Sequence, residues 1–127
     1  TVDTCTFMNT PTENIFQCGG VIKNCRYYKL GGSFVHWACR TDKPRPLSLV
    51  ENNSGRYSNL MGNKISIHSE GLFTFSSNSQ NILVQGNTCE NGKEAIMGKQ
   101  GLEDYDVTVV NNYFKNFHIF LIYAPLN

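Results

Sequence analysis

Residues that favour helices are scarce in this chain. Among 127 residues there are 3 alanines, against 15 asparagines and 11 glycines. Alanine is the best interior helix residue and asparagine and glycine are poor ones, so the balance weighs against helices and suits turns and short strands. Charge is thin as well: Asp, Glu, Lys and Arg make up 17%, below the roughly 25% of an average soluble domain. The net charge is +1 and the sequence pI about 7.6, so no strong field steers the chain to nucleic acid or an anionic membrane. Long apolar runs are missing too. The longest, Phe117 to Pro125, contains His118 and is too short to cross a bilayer, so no membrane insertion is expected.

The cysteines exclude two further classes. They stand at positions 5, 18, 25, 39 and 89 with no C-x-x-C pair, which argues against a zinc ribbon or a redox motif. Their odd number leaves one thiol over in any disulfide framework, and reduced, buried thiols are the expectation. The opening TVDTCTF has neither the basic region nor the apolar core of a signal peptide, and no initiator Met. A processed chain or one excised from something longer is therefore expected. At 14.3 kDa, residues 1–127 read as one domain or a piece of one.

What is present is a repeat. With Val109 as zero, Asn112 falls at +3, Phe114 at +5 and Asn116 at +7. Val84 repeats this with Asn87, Cys89 and Asn91, and Val2 with Cys5, Phe7 and Asn9. Extending the rule gives six starts, at Val2, Ile22, Val50, Ile67, Val84 and Val109. A second apolar patch follows 12 or 13 residues after four of them, at Ile15, Val35, Ile96 and Leu121. The start at Ile67 has its patch early, at Phe73 and Phe75, and the one at Val50 has only Leu60 and Met61 to offer. Apolar alternation before the starts and Gly, Asn and Ser clusters between the patches define strand, bend, strand, turn, strand, turn.

So small a unit cannot bury its apolar face alone, but copies stacked about 4.8 Å apart can. The +3 column becomes Cys5, Cys25, Asn53, Glu70, Asn87 and Asn112, an asparagine ladder at a bend that tolerates left-handed backbone. The +5 column becomes Phe7, Tyr27, Gly55, Leu72, Cys89 and Phe114 and fills the interior. On these columns the chain resembles a right-handed parallel β-helix, the architecture of pectate lyases, related polysaccharide enzymes and phage tailspikes. The fold expected is all-β, with five to six coils, as a segment of a longer solenoid. Handedness follows from the rule for parallel crossovers, not from the residues. A β-sandwich with similarly spaced strands is the rival, although it gives no reason to repeat Asn at +3 and +7.

Two long intervals, 38–48 and 98–106, share one phase and should leave the same edge of the stack about 14 Å apart. The first carries Arg40, Asp42, Lys43 and Arg45; the second carries Lys99, Glu103, Asp104, Tyr105 and Asp106. A basic wall facing an acidic one makes a shallow groove, with Arg40, Lys43, Arg45 and Tyr105 as substrate-binding candidates. Between the walls, Phe34 and His36 either form a platform for a sugar ring or pack against a covering loop or subunit. Glycoside hydrolysis needs two carboxylates about 5 to 9.5 Å apart. Glu103, Asp104 or Asp106 could supply one, and Glu70, Glu94 or Asp42 the other, yet no spacing fixes a pair, and a solvated acidic loop tip is the plainer reading. Pectate-lyase-like enzymes place a calcium-binding acid cluster in this region. Residues 103–106 are too poor in carboxylates for a dedicated calcium cage, so no metal, cofactor or catalytic residue is carried over. Glu70 reads either as a partly exposed rung bonded to Asn53 and Asn87 or as a buried carboxyl with a raised pKa.

The functional expectation is a carbohydrate-binding or polysaccharide-depolymerising segment of tailspike or polysaccharide-lyase type. If it is an enzyme, it is a glycoside hydrolase or a lyase acting on a surface polysaccharide. A non-catalytic rod or an adhesin segment is the alternative. Expected partners are an oligo- or polysaccharide and either a homotrimer or further coils, with no nucleic acid.

Overall fold

Two residues in left-handed backbone recur once per winding: the first separates a strand of one sheet from the next strand, and the second falls just after that strand or within it. The computed structural model describes residues 1–10, 14–17, 19–38, 46–58, 71–76, 79–98 and 106–123, with the backbone alone at 16, 17 and 119–123. Thirteen strands account for most of these. They are β1 (Val2–Asp3), β2 (Thr6–Met8), β3 (Ile15–Gln17), β4 (Gly20–Lys23), β5 (Arg26–Leu30), β6 (Val35–Trp37) and β7 (Ser48–Glu51). There follow β8 (Ser54–Ser58), β9 (Phe73–Phe75), β10 (Ile82–Gln85), β11 (Thr88–Gly98), β12 (Val107–Val110) and β13 (Tyr113–Tyr123).

The class is all-β, and the pairings between described strands are parallel. One sheet has the order β1-β4-β7-β10-β12. The other runs β2-β5-β8-β11-β9-β6-β3, with β13 also on β11. This second sheet is curled. β11 and β13 pass through its bend unbroken, whereas the earlier windings cross it as separate strands. The chain therefore presents three faces in turn: the first sheet, then β2-β5-β8 with the start of β11 and β13, then β3-β6-β9 with their ends.

Register fixes the repeat as Val2, Ile22, Val50, Val84 and Val109, which stand directly over one another. Five windings result, and the expected start at Ile67 falls away, because Val50 pairs directly with Val84 and leaves no rung between them. Phe73 and Phe75, assigned above to a winding of their own, belong to the one that starts at Val50: they pair with Val35 and Trp37 on one side and with Ile96 and Gly98 on the other. Ile67 and Glu70 themselves lie outside the described residues.

The corners explain the asparagines. At +2 the backbone is left-handed in every winding, at Thr4, Asn24, Asn52, Gly86 and Asn111, with φ between 54° and 65°. At +7 it is left-handed again, at Asn9, Lys29, Tyr57, Asn91 and Asn116, with φ between 53° and 61°. Asparagine tolerates this region better than most side chains, which accounts for its recurrence at +7. The +3 asparagines form the expected ladder with their side chains, but the left-handed residue of the bend is their neighbour at +2. Asn87 Oδ1 accepts from Asn53 N (2.9 Å) and Nδ2 (3.0 Å), while Asn87 Nδ2 donates to Val50 O (3.0 Å) and Asn112 Oδ1 (2.8 Å). Asn112 Oδ1 also takes Asn87 N (2.9 Å), and Asn53 Oδ1 takes Cys25 N (2.8 Å). The backbone N–H groups of Cys25, Asn53 and Asn87, stranded by the corner, are thus answered from the next winding, as buried donors require.

Inside, aromatic rings from the second and third faces interlock. Phe34 meets Phe7, Tyr27 and Phe73 at centroid distances of 5.5, 5.2 and 6.4 Å, and Trp37 stacks on Phe75 at 4.8 Å. The Trp37 indole N–H is satisfied by Ser48 Oγ at 2.8 Å. Gly55, the odd member of the +5 column, has its reason here: a Cβ at that place would run into the Tyr27 ring, which lies over it. Tyr27 reaches across Gly55 to the winding of Cys89, the next residue in the column.

Two expected outcomes follow from this packing. Asn87→Ala removes the acceptor of two buried Asn53 donors, at about 1–3 kcal/mol for each buried donor left unsatisfied. Urea denaturation should therefore show a loss of about 3 kcal/mol, and a loss under about 1 would mean that the ladder adds nothing to the strands. The second concerns pH. Burial pushes the Cys89 thiol up to about 12 and raises the Tyr27 hydroxyl as well. Because the folded-state value lies above the unfolded one, stability is complete below about pH 9 and falls as pH rises toward 12. About 2 kcal/mol should be lost by pH 10.5 through Cys89, and Cys89→Ala should flatten that part of the urea-midpoint profile.

Candidate ligand-binding face

The outward side of the second face carries two exposed rows. At +4 stand Thr6, Arg26, Ser54, Thr88 and Tyr113, and at +6 Met8, Tyr28, Arg56, Glu90 and Lys115, each residue paired in register with the next. Cations therefore outnumber carboxylates, with Arg26, Arg56 and Lys115, and Lys29 at the adjoining corner, against Glu90 alone. No ion pair between described residues involves any of the four cations; the pair that does form, Lys23 with Asp3 at 3.7 Å, lies on the first face.

At the centre of this surface, Tyr28, Lys29, Arg56 and Tyr57 form a checkerboard. Tyr28 sits beside Arg56 in register, and the left-handed corner residues Lys29 and Tyr57 stand next to them. The Arg56 guanidinium lies 5.5 Å from the Tyr28 centroid and 5.6 Å from that of Tyr57. The two rings meet edge to face at 5.4 Å, and Lys29 Nζ lies 5.4 Å from the Tyr28 centroid. Such contacts hold both cations over ring faces while leaving their N–H groups free for an anion.

Tyr57 is the residue out of place. Three of its four partners at +7 are asparagine, and left-handed backbone costs a bulky side chain about 1–2 kcal/mol. Against this stand about 0.5–1 kcal/mol for an exposed cation–π contact and a similar sum for the edge-to-face pair. The terms nearly cancel, so the fold has little use for a tyrosine there. Strained backbone of this kind gathers at ligand clamps and active sites.

The residues expected to bind substrate are placed elsewhere. Phe34 is an interior ring, because it stands at the turn before β6 and is not part of the strand alternation that would have turned it outward. His36 does lie on the outer side of β6, yet it is 5% exposed, and its Nε2 lies 2.9 Å from Ser76 Oγ. Both rings are buried. The Ser76–His36 pair is no nucleophile and base either. Ser76 Oγ donates to the Trp37 carbonyl at 2.7 Å, which leaves its oxygen to accept from the imidazole.

Arg40, Asp42, Lys43, Arg45, Glu103, Asp104 and Tyr105 lie outside the described residues, as do Lys99 and Glu70. Asp106 is described and exposed; its backbone O accepts from Ile82 N at 3.0 Å. Trp37 and Gly98, from which the two long connections leave, both register on Phe75, so those connections arise two windings apart, about 10 Å by strand spacing and not 14. Glu94 is buried in β11.

Within one segment the repeat marks +7 only by its asparagines and gives +6 no role, so the checkerboard has no local signature. The signal lies across windings: Tyr-Lys at 28–29 and Arg-Tyr at 56–57 fall at the same two offsets in consecutive windings. No family model matches the chain, and neither a curated protein nor a solved structure matches it.

If Tyr57 serves a ligand and not the fold, Tyr57→Asn should change unfolding free energy by less than about 1 kcal/mol. Phe34→Ala, in the interlocked core, should cost about 3–5 kcal/mol in the same urea titration.

Proposed function

We propose that the chain is a segment of a right-handed parallel β-helix that binds a glycan on its second face, in the manner of a tailspike or appendage protein. Right-handed winding is what parallel crossovers require in nearly all known cases. The observation that carries the glycan reading is the Arg56 guanidinium set against Tyr28 and Tyr57, with no ion pair to a carboxylate among the described residues. A ring face is electron-rich and takes the C–H side of a pyranose, while a fork-shaped cation beside it takes carboxylate or sulfate in two parallel hydrogen bonds. A parallel sheet repeats such a patch at even steps, which suits a polymer lying across the windings. Duplex nucleic acid is the less suitable occupant, since the whole chain carries a net charge of only +1.

Binding, and not cleavage, is the role proposed. On this face Glu90 is the sole carboxylate of the two rows, and hydrolysis by the two-carboxylate route needs a pair. A rod without a ligand is the competing reading, and one experiment separates the two. A glycan array that includes acidic and neutral polysaccharides, followed by titration calorimetry, should find a ligand bound by the wild-type chain. Tyr28→Ala with Tyr57→Ala should weaken that binding at least tenfold while leaving the far-ultraviolet circular dichroism unchanged. Silence across the array, or unchanged affinity in the double variant, would leave the rod standing. Preference for an oligonucleotide over every glycan would overturn the choice of polymer.

A further inference from the structure

The ladder changes chemistry in its first two rungs. At +3 the later windings have Asn53, Asn87 and Asn112, but the first two have Cys5 and Cys25. The side chains of this column point back toward the preceding winding: Asn53 Nδ2 donates to Ile22 O at 3.2 Å, Asn87 Nδ2 to Val50 O, and Asn112 Nδ2 to Val84 O at 2.9 Å. Cys25 keeps the direction. Its thiol lies 3.8 Å from Val2 O, the matching carbonyl of the first winding, and 3.2 Å from Lys23 O. Cys5 occupies the same place in that first winding. It lies between the paired residues Asp3↔Lys23 and Thr6↔Arg26, and its carbonyl accepts from Arg26 N at 2.9 Å.

Residues so paired on neighbouring parallel strands have Cα atoms about 4.8 Å apart, inside the 4.4–6.8 Å range of disulfides. Between them, Cys5 is exposed and Cys25 is buried. The two residues are also near enough to act on each other: burial raises the Cys25 thiol, and Cys5 acts on it both ways, its backbone lowering the value and its thiol raising it. β1 and β2 join the first winding to β4 and β5 of the second, and the bond has only to draw the two Cβ atoms to disulfide distance.

We propose that Cys5 and Cys25 are a disulfide site that staples the first winding to the second when a low-molecular-weight disulfide is present. The exposed Cys5 thiolate attacks one sulfur of oxidised glutathione, forming a mixed disulfide and expelling one glutathione thiolate. Cys25, after losing its proton to solvent, attacks the Cys5 sulfur and expels the second glutathione. Two thiols are oxidised and one glutathione disulfide is reduced to two thiols, so electrons and protons balance.

The test treats the native, fully reduced chain with oxidised glutathione at about pH 8, quenches it with acid, and maps the peptides by mass spectrometry. A Cys5–Cys25 linked pair is expected, together with a midpoint of thermal unfolding higher by several degrees, since the staple closes a loop of about 20 residues in the unfolded chain. Cys5→Ser, at an exposed position, should fold normally, leave Cys25 unmodified and abolish the thermal gain. Recovery of Cys5 as a stable mixed disulfide, its linkage to any other cysteine, or both thiols unchanged would each overturn the proposal.

Discussion

One hydrogen bond, repeated, holds the stack in register: the backbone N–H at +3 given to the side-chain oxygen of the same residue one winding on. A chain that turns through left-handed backbone at +2 leaves that N–H without a strand partner, buried inside the corner. Asn53 and Asn87 each use their side chains in both directions: the oxygen takes the stranded N–H of the preceding winding, and the amide gives one proton to a carbonyl of that winding and another to the ladder oxygen of the next. A slip of one residue in any winding would strand several donors at once and turn the apolar +5 column to solvent. Added length is therefore confined to places where no such bond is at stake. The connections after β6 and β11, and residues 59–70 between β8 and β9, are where this chain carries it.

The third winding shows how the constraint outranks local pattern. Val50 and Val84 are 34 residues apart and yet are direct neighbours, because the ladder joins Asn53 to Asn87 without an intermediate. Its other half is supplied by Phe73–Phe75, whose rings sit against Val35, Trp37 and Phe114. Gly55 lets the Tyr27 ring into the space that a side chain in this winding would have filled. The long interval and the missing side chain are adjustments within one winding. Neither marks a weak unit.

Surface and core part company at the second face. Its inward row is apolar and fully packed, and its outward rows hold cations that no described carboxylate answers. The tyrosine at a corner otherwise suited to asparagine adds nearly nothing to folding by the magnitudes above.

Composition and periodicity alone established the all-β class, the eight-residue grammar, the offsets +3, +5 and +7, and four of the five windings with their second patches. These were legible because they rest on local rules: alternation in strands, asparagine at left-handed corners, and apolar residues at one phase. Tertiary structure decided what local rules cannot reach. Ile67 satisfies the pattern as well as Val50 does, and only pairing across windings shows that Val50 meets Val84. Phe34 and His36 look like an exposed pair in alternation, but the interlock with Phe7, Tyr27 and Phe73 makes one of them core, and burial takes the other. Tyr28, Arg56 and Tyr57 are unremarkable in their own segments. They become a site because stacking brings residues 28 positions apart to about one strand spacing, a distance that no reading of neighbouring residues contains.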